Sequence, residues 1–401
     1  MSIGERLAKL REYRNLTQEE LAERAGVHVD TIRKLEQGVR ENARMTTYGK
    51  LAAALDIELG RLLGQATMTQ QLPESGGLIA LRNAVQDMTG LPGVPTDAHE
   101  EDAPTIADLR DAFTRAQATY RKGRFTELTR TLPGLVTDLR AAARETTGGR
   151  DSDTVWSMNA ATYIIAADLS AQLGQTDLAY TAVERALHAS QRASDPLREA
   201  LAVSTLSLVL LRQGRWDQAH DIAVRKAAEI EPRFSSTDRE QLAMYGVLLL
   251  SGAVPASRGR QATAARELVK QATAAATLSG TLHVRGTAFG PSSVAMQATT
   301  VAISLGDAEE ALNKARGVDL QALPWPISRA RHRLDVAHAR YQLRDHEAAL
   351  TTLLEIETEQ PEWMKHQVLA ASTVRELLDE ERRKNAPLRG LASRLGVDPT
   401  L

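Results

Sequence analysis

The residues with the clearest chemistry lie between Val29 and Arg44. Arg33 and Lys34 carry long cationic side chains that can reach phosphate oxygens or the acceptor edge of guanine. Thr31 offers a hydroxyl and a methyl, and Val29 matches the methyl group of thymine. Asp30 is repelled by phosphate, so it either accepts from a cytosine amino group or holds a neighbouring arginine. Arg40, Asn42 and Arg44 come next and suit backbone phosphates. These side chains could read a duplex, or they could be an ordinary solvated helix face. The elements that carry them decide between the two.

Those elements are written in Thr17 to Gly38, TQEELAERAGVHVDTIRKLEQG. Thr17 with Glu20 three residues on makes a capping box that starts a helix. Leu21, Ala22 and Ala25 give it one apolar face, and Gly26 ends it in the left-handed conformation. After Val27 a second helix begins, with Ile32 and Leu35 inward and Gly38 as its stop. A short helix, a glycine turn and a second helix make the helix-turn-helix geometry, whose second helix lies in the major groove. Residues 1–65 carry 11 Lys+Arg against 10 Asp+Glu. Non-specific affinity is therefore expected to be weak and salt-sensitive, with dimerisation needed for tight binding.

Residues 3 to 64 resemble the phage-repressor-like (Xre-type) family. Five helices carry the likeness: IGERLAKLREYRN, TQEELAERA, HVDTIRKLEQ, TTYGKLAAAL and ELGRLLG. The resemblance implies that Arg11 pairs with Glu36, tying the first helix to the third, and that Gln18 contacts the DNA backbone. It also implies that His28, Val29, Asp30 and Lys34 stand where family members touch bases. Val29 and Asp30 cannot both make the amide contacts that glutamines make there, so the resemblance does not carry over an operator sequence.

The composition sets the frame. A chain of 401 residues with 43% hydrophobic content has room for two or three domains with real cores. With only 4% aromatics those cores must be built from Ala and Leu, which favours helices. A formal net charge of −2 confines any nucleic-acid contact to a local patch. There is no cysteine, which removes disulfides, thiolate chemistry and cysteine–zinc sites. No signal peptide and no window of about 18 apolar residues is present, so a cytoplasmic protein without membrane contact is expected. Gly64 to Thr105 is rich in proline and glycine and reads as a connector. It contains one amphipathic helix at 78–88 that could dock on the next domain. The expected division is a head at 1–65, a linker at 66–104 and an α-helical array at 105–401.

The array is read from a repeating unit: a helix, a turn, and a second helix with a small residue five positions after the turn. It recurs at Gly174/Ala179, Gly214/Ala219, Gly259/Ala264, Gly306/Ala311 and Arg344/Ala349, after a degenerate copy at Gly123/Leu128. These units resemble divergent tetratricopeptide repeats. No sustained period-two pattern is visible, so the expected fold is all-α: a five-helix head and an α-solenoid with a concave inner face. Candidate ligand residues on that face are Trp156, Asn159 and Tyr163 on one helix, and Tyr245 on a later one. His283, Arg285, Ser292, Ser293 and Gln297 surround a departure from the repeat at HVRGTAFGPSSVAMQ. There Pro291 opens a helix, and free N–H groups near the serines would suit an anion. Trp325, Arg329 and His332 complete the set. An aromatic at helical spacing equally fits a core, and a lone histidine is ordinarily satisfied locally.

The whole architecture resembles regulators of actinobacterial type in which Xre-type heads are fused to tetratricopeptide-like arrays. That resemblance implies an effector in the groove, a small molecule or short peptide, that alters how two heads of a homodimer sit on double-stranded DNA. Asn159 suits a peptide backbone, since its amide pairs with both N–H and C=O. Motifs for nucleotide hydrolysis, zinc proteolysis and serine hydrolysis are missing, and the nine histidines lack metal-ligand spacing. No enzyme, metal or cofactor is expected. The rival expectation is an adaptor whose array recruits a protein while the head tethers it to DNA.

Overall fold

The computed structural model describes residues 3–14, 16–39, 43, 45–55, 57, 62, 76–87, 104–146, 148–233, 238–380 and 385–397. Among them are twenty α-helices, one 3-10 turn at Leu320–Ala322 and one two-stranded hairpin. The head contains α1 (Ile3–Tyr13), α2 (Gln18–Ala25), α3 (Val29–Glu36) and α4 (Met45–Ala54). Thr17 and Glu20 exchange hydrogen bonds in a complete capping box at the start of α2. Gly26 ends α2 with a left-handed φ of 56°, which lets the chain reverse into α3. Leu7, Leu21, Ile32, Leu35, Leu51, Leu55 and Leu62 share one buried core. Of the fifth expected head helix only Leu62 lies within the described residues.

The helix expected at 78–88 is α5 (Gly76–Val85). Its Leu78, Leu81, Ala84 and Val85 are buried in the core of the array, and Arg82 donates to Gln175. Helix pairs come next: α6 (Ile106–Arg121) with α7 (Phe125–Glu145), α8 (Gly149–Gln172) with α9 (Thr176–Arg192), and α10 (Pro196–Arg212) with α11 (Trp216–Glu229). Then come α12 (Arg239–Arg258) with α13 (Ala262–Ser279), α14 (Pro291–Leu305) with α15 (Ala308–Ala315), and α16 (Pro326–Gln342) with α17 (His346–Glu359). Three helices end the array: α18 (Pro361–Lys365), α19 (Val368–Asp379) and α20 (Ala386–Arg394).

Each of the six pairs turns on one left-handed residue: Gly123, Gly174, Gly214, Arg260, Gly306 and Arg344. Five residues later stands a side chain with no exposed surface: Leu128, Ala179, Ala219, Ala265, Ala311 and Ala349. The small residues let the two helices cross closely. The fourth pair corrects the sequence reading by one residue. Gly259 has an ordinary φ of −73°, and the turn falls on Arg260, so Ala265 rather than Ala264 lies at the crossing.

A second correction concerns strands. Between α13 and α14, β1 (Leu282–Val284) pairs antiparallel with β2 (Thr287–Phe289), with Arg285 and Gly286 as the left-handed turn residues. Strands of three residues are too short to show alternation, which is why no β pattern was visible. The hairpin docks through Phe289, fully buried against Gly246 of α12, where a Cβ would meet the ring at 2.0 Å.

The end of the array returns to its beginning. The Thr126 amide donates to the Glu362 carboxylate at 2.9 Å, and the Phe125 and His366 rings lie 5.9 Å apart. Gln367 Nε2 donates to Gln172 Oε1 at 3.1 Å. This clasp joins the last helices of the array to its first pairs. No described helix is long and apolar enough to cross a membrane.

Two glycine substitutions test this packing in opposite directions. Gly246→Ala forces the Phe289 ring aside and is expected to destabilise by about 1–3 kcal/mol. Gly134→Ala, inside α7 with nothing within 4 Å of the new methyl, is expected to stabilise by about 0.5–1 kcal/mol. Urea melts of the two variants read both signs.

Candidate functional site

The orientation of α3 rests on one carboxylate. Arg11 Nε donates to Glu36 Oε1 at 2.8 Å and Arg11 Nη2 to Oε2 at 3.0 Å, as the family resemblance implies. Gln18 Nε2 adds a third donor at 2.6 Å. The Glu36 side chain is 6% exposed, so the pair is strong and water competes little for it. The hydrogen bond to Glu36 raises the Arg11 pKa above its ordinary value. Helices α1, α2 and α3 are thereby locked at one point. Gln18, expected at the DNA backbone, here holds Glu36.

Around α3 the two faces separate. Ile32 and Leu35 are buried, whereas His28, Asp30, Arg33 and Lys34 are exposed and Val29 and Thr31 half-buried. His28 caps the helix: its Nδ1 accepts from the Asp30 amide at 3.3 Å. Arg33 lies 3.3 Å from Asp30 and 3.7 Å from Glu19, so Asp30 takes the second of its two expected roles, holding a neighbouring arginine. The Tyr48 hydroxyl accepts from the Ala43 amide at 2.9 Å and pins the chain beyond α3. Arg40, Asn42 and Arg44 lie outside the described residues.

The expected ligand residues fall in several places. Trp156 is half-buried, with the Arg192 guanidinium 5.4 Å from its ring centroid and His188 edge-on to it. Asn159 is 2% exposed, and among the described residues its Oδ1 has no partner. Tyr163 packs in the core and its hydroxyl accepts from Arg140, so it braces α8 against α7. Tyr245 and Gln297 are half-buried. His283 lies 6.1 Å from Trp325, and Arg121 lies over the Trp325 ring at 4.7 Å while donating to the Gly286 carbonyl. Arg285 pairs with Asp195 and Glu240. Ser292 accepts from the Asp319 amide and Ser293 donates to the Ala288 carbonyl, so both hydroxyls are engaged. Arg329 donates to the Leu323 carbonyl. His332 is 5% exposed, its Nδ1 has no partner among the described residues, and burial lowers its pKa.

A second polar set escaped the sequence reading. Tyr120 bonds to Gln172, which also accepts from Arg212 and Gln367. Asp168 lies close to Tyr120, and burial raises its carboxyl to about 7. Arg258, Arg331 and Asp335 form a further group. A signal existed: Asp168 is a lone charge in the apolar run IIAADLSAQL. Its neighbours come from helices far apart in sequence, which no local pattern reveals.

The clasp meets the head at adjacent residues. Gln367 touches Gln172, while Val368 packs against the hydrophobic core of the head. Further along α19, Arg375 lies close enough to Tyr48 and Arg6 to perturb their ionisation.

Two substitutions test these sites. Glu36→Ala strands the Arg11 guanidinium and is expected to destabilise the head by about 2–4 kcal/mol, read as faster amide exchange in α1 to α3. For Asp168 the folded pKa is raised, so the native state binds the extra proton between about pH 4 and 7. Stability attributable to this group therefore falls as pH rises through that window. Asp168→Asn is expected to raise the melting temperature at pH 8 by about 2 °C or more and to leave it near wild type at pH 4.

Comparison with known proteins agrees with the head. The family model described as a helix-turn-helix (HTH_3) matches residues 7–62. The uncharacterized HTH-type transcriptional regulator RghRB of Bacillus subtilis is 38% identical over 72 residues, 18% of this chain. The chain spans 52% of that relative's length. The solved structure of Bacillus thuringiensis PlcR in complex with the peptide PapR7 and DNA aligns over 88% of this chain and 98% of its own. It does so at 11% identity and a TM-score of 0.37, a likeness too slight to argue from. The capping box, the Gly26 turn, the Arg11–Glu36 pair and the matched model converge on one assignment: the N-terminal segment is a helix-turn-helix domain of the Xre type.

Proposed function

We propose that the chain is a sequence-specific DNA-binding transcriptional regulator, working as a homodimer on a pseudo-palindromic duplex site. The observation that carries this reading is the free outer face of α3. Arg33 and Lys34 stand exposed directly opposite the buried Ile32 and Leu35, and the array does not cover them. On this reading Gln18 exchanges Glu36 for a backbone phosphate. His28, Val29, Asp30, Thr31 and Lys34 meet base edges, and Arg40, Asn42 and Arg44 track the phosphates.

The array, from about residue 105 onward, takes a small-molecule or short-peptide effector on its concave face. Support comes from the buried Asn159 Oδ1 and His332 Nδ1, which have no partner among the described residues, and from the Gln367–Val368 step. A ligand that displaces Gln367 from Gln172 shifts the start of α19, and with it the residue seated on the head. Such a ligand can alter DNA affinity only by as much as it prefers one arrangement over the other. A protein-recruiting adaptor has less behind it. The large exposed apolar side chains among the described residues, Val39, Ile79, Leu278, Leu320 and Leu343, are scattered rather than gathered in one stripe.

The doubly substituted Arg33→Ala, Lys34→Ala protein tests the reading. Gel shifts on fragments around its own promoter are expected to show at least a hundredfold loss of affinity, with helicity and melting temperature unchanged. Retention of wild-type affinity would refute the assignment of α3.

A further inference from the structure

The hairpin between α13 and α14 is held differently at its two ends. At the base Val284 and Phe289 are buried, and the Phe289 ring packs on Gly246 of α12. The tip, Arg285 and Gly286, carries no apolar side chain, and its contacts are polar. Arg285 Nε lies 3.0 Å from Asp195 Oδ1 and 2.9 Å from Oδ2, and Arg285 Nη1 donates to Glu240 Oε2 at 3.0 Å. The Arg198 guanidinium donates to the Arg285 carbonyl, and Arg121 Nη2 donates to the Gly286 carbonyl at 3.1 Å.

These partners come from three different pairs. Arg121 ends α6, Asp195 caps α10 with Arg198 in its first turn, and Glu240 stands in the first turn of α12. Each belongs to the first helix of its pair, so one two-residue turn joins three of those helices. Arg285 has a left-handed φ of 50°, a conformation that glycine or asparagine adopts more readily in such a turn. What glycine would not supply is the guanidinium that reaches both carboxylates.

Strands of three residues do not hold together by themselves, so the tip depends on these contacts. The Arg285 side chain is 31% exposed and that of Glu240 48%, so water and salt compete for the pairs and each contributes little. The base is apolar and buried, so it can stay in place when the tip leaves. A fixed hinge with a weak latch has two arrangements.

We propose that the β1–β2 hairpin is a releasable strap, hinged at Phe289 and latched through Arg285, that ties α6 to α10 and α12. Release of the tip returns the Arg121 and Arg198 guanidiniums, which then can meet an acceptor on a ligand. That last step rests on the effector reading above; the latch itself does not.

Hydrogen exchange on the ligand-free full chain, read on peptides covering residues 281–290 and α12, tests the strap. Arg285→Gly keeps the left-handed turn and removes both ion pairs, whereas Glu240→Gln removes one. Asp195 is left intact because it caps α10. Exchange of the hairpin amides is expected to quicken about tenfold or more in Arg285→Gly and by a smaller factor in Glu240→Gln, with α12 unchanged. Raising NaCl from about 50 to 500 mM is expected to quicken the wild-type hairpin and to leave Arg285→Gly unaffected. Unchanged hairpin exchange in Arg285→Gly, or an equal salt response in the two proteins, means that packing holds the tip, and overturns the latch. Equal quickening of the hairpin and α12 means that the hairpin opens only when the array unfolds, and overturns the strap. None of these readouts involves DNA or effector, so failure here is distinct from failure of the regulator reading.

Discussion

Three donors on one buried carboxylate decide how α3 is aimed. Glu36 receives Arg11 from α1 and Gln18 from the start of α2, and itself ends α3. Hydrophobic packing of Ile32 and Leu35 keeps α3 in the head but is non-directional. The bidentate bond supplies the direction, because a guanidinium and a carboxylate meet well in only one plane. The outward aim of Arg33 and Lys34 depends on that orientation.

The array obeys a different logic. Five of its six pairs cross at fully buried alanines and the first at Leu128, and its turns use one left-handed residue each, so each unit fits its neighbours by shape. Shape alone would leave the superhelix open. The contacts of Thr126, Phe125 and Gln172 with Glu362, His366 and Gln367 close it. The clasp brings together polar groups from helices that are distant in sequence, and it sets Gln367, bonded to Gln172, next to Val368, which packs on the head.

Much of this was legible in the sequence, and the failures have physical causes. Thr17, Glu20 and Gly26 revealed the head because caps and turns are local chemistry. The repeat was visible because alanine is needed wherever two helices cross closely. Gly259 misplaced one turn, since glycine is the usual left-handed residue and an arginine occupies that conformation instead. The hairpin was invisible because three-residue strands carry no period. Tyr163 was placed with Trp156 by helical spacing, but packing gave its hydroxyl to Arg140. The grouping of Asp168 with Tyr120 and Gln172 joins helices distant in sequence, which no local pattern encodes.

Hydroxyl-radical footprinting of the wild-type protein on a bound promoter fragment tests the central claim most directly. Two symmetric protections whose centres lie about 10 base pairs apart, or a multiple of that, are predicted for two α3 helices in successive major grooves. A single protected patch, or uniform protection that vanishes with modest salt, would contradict a dimer reading sequence through α3.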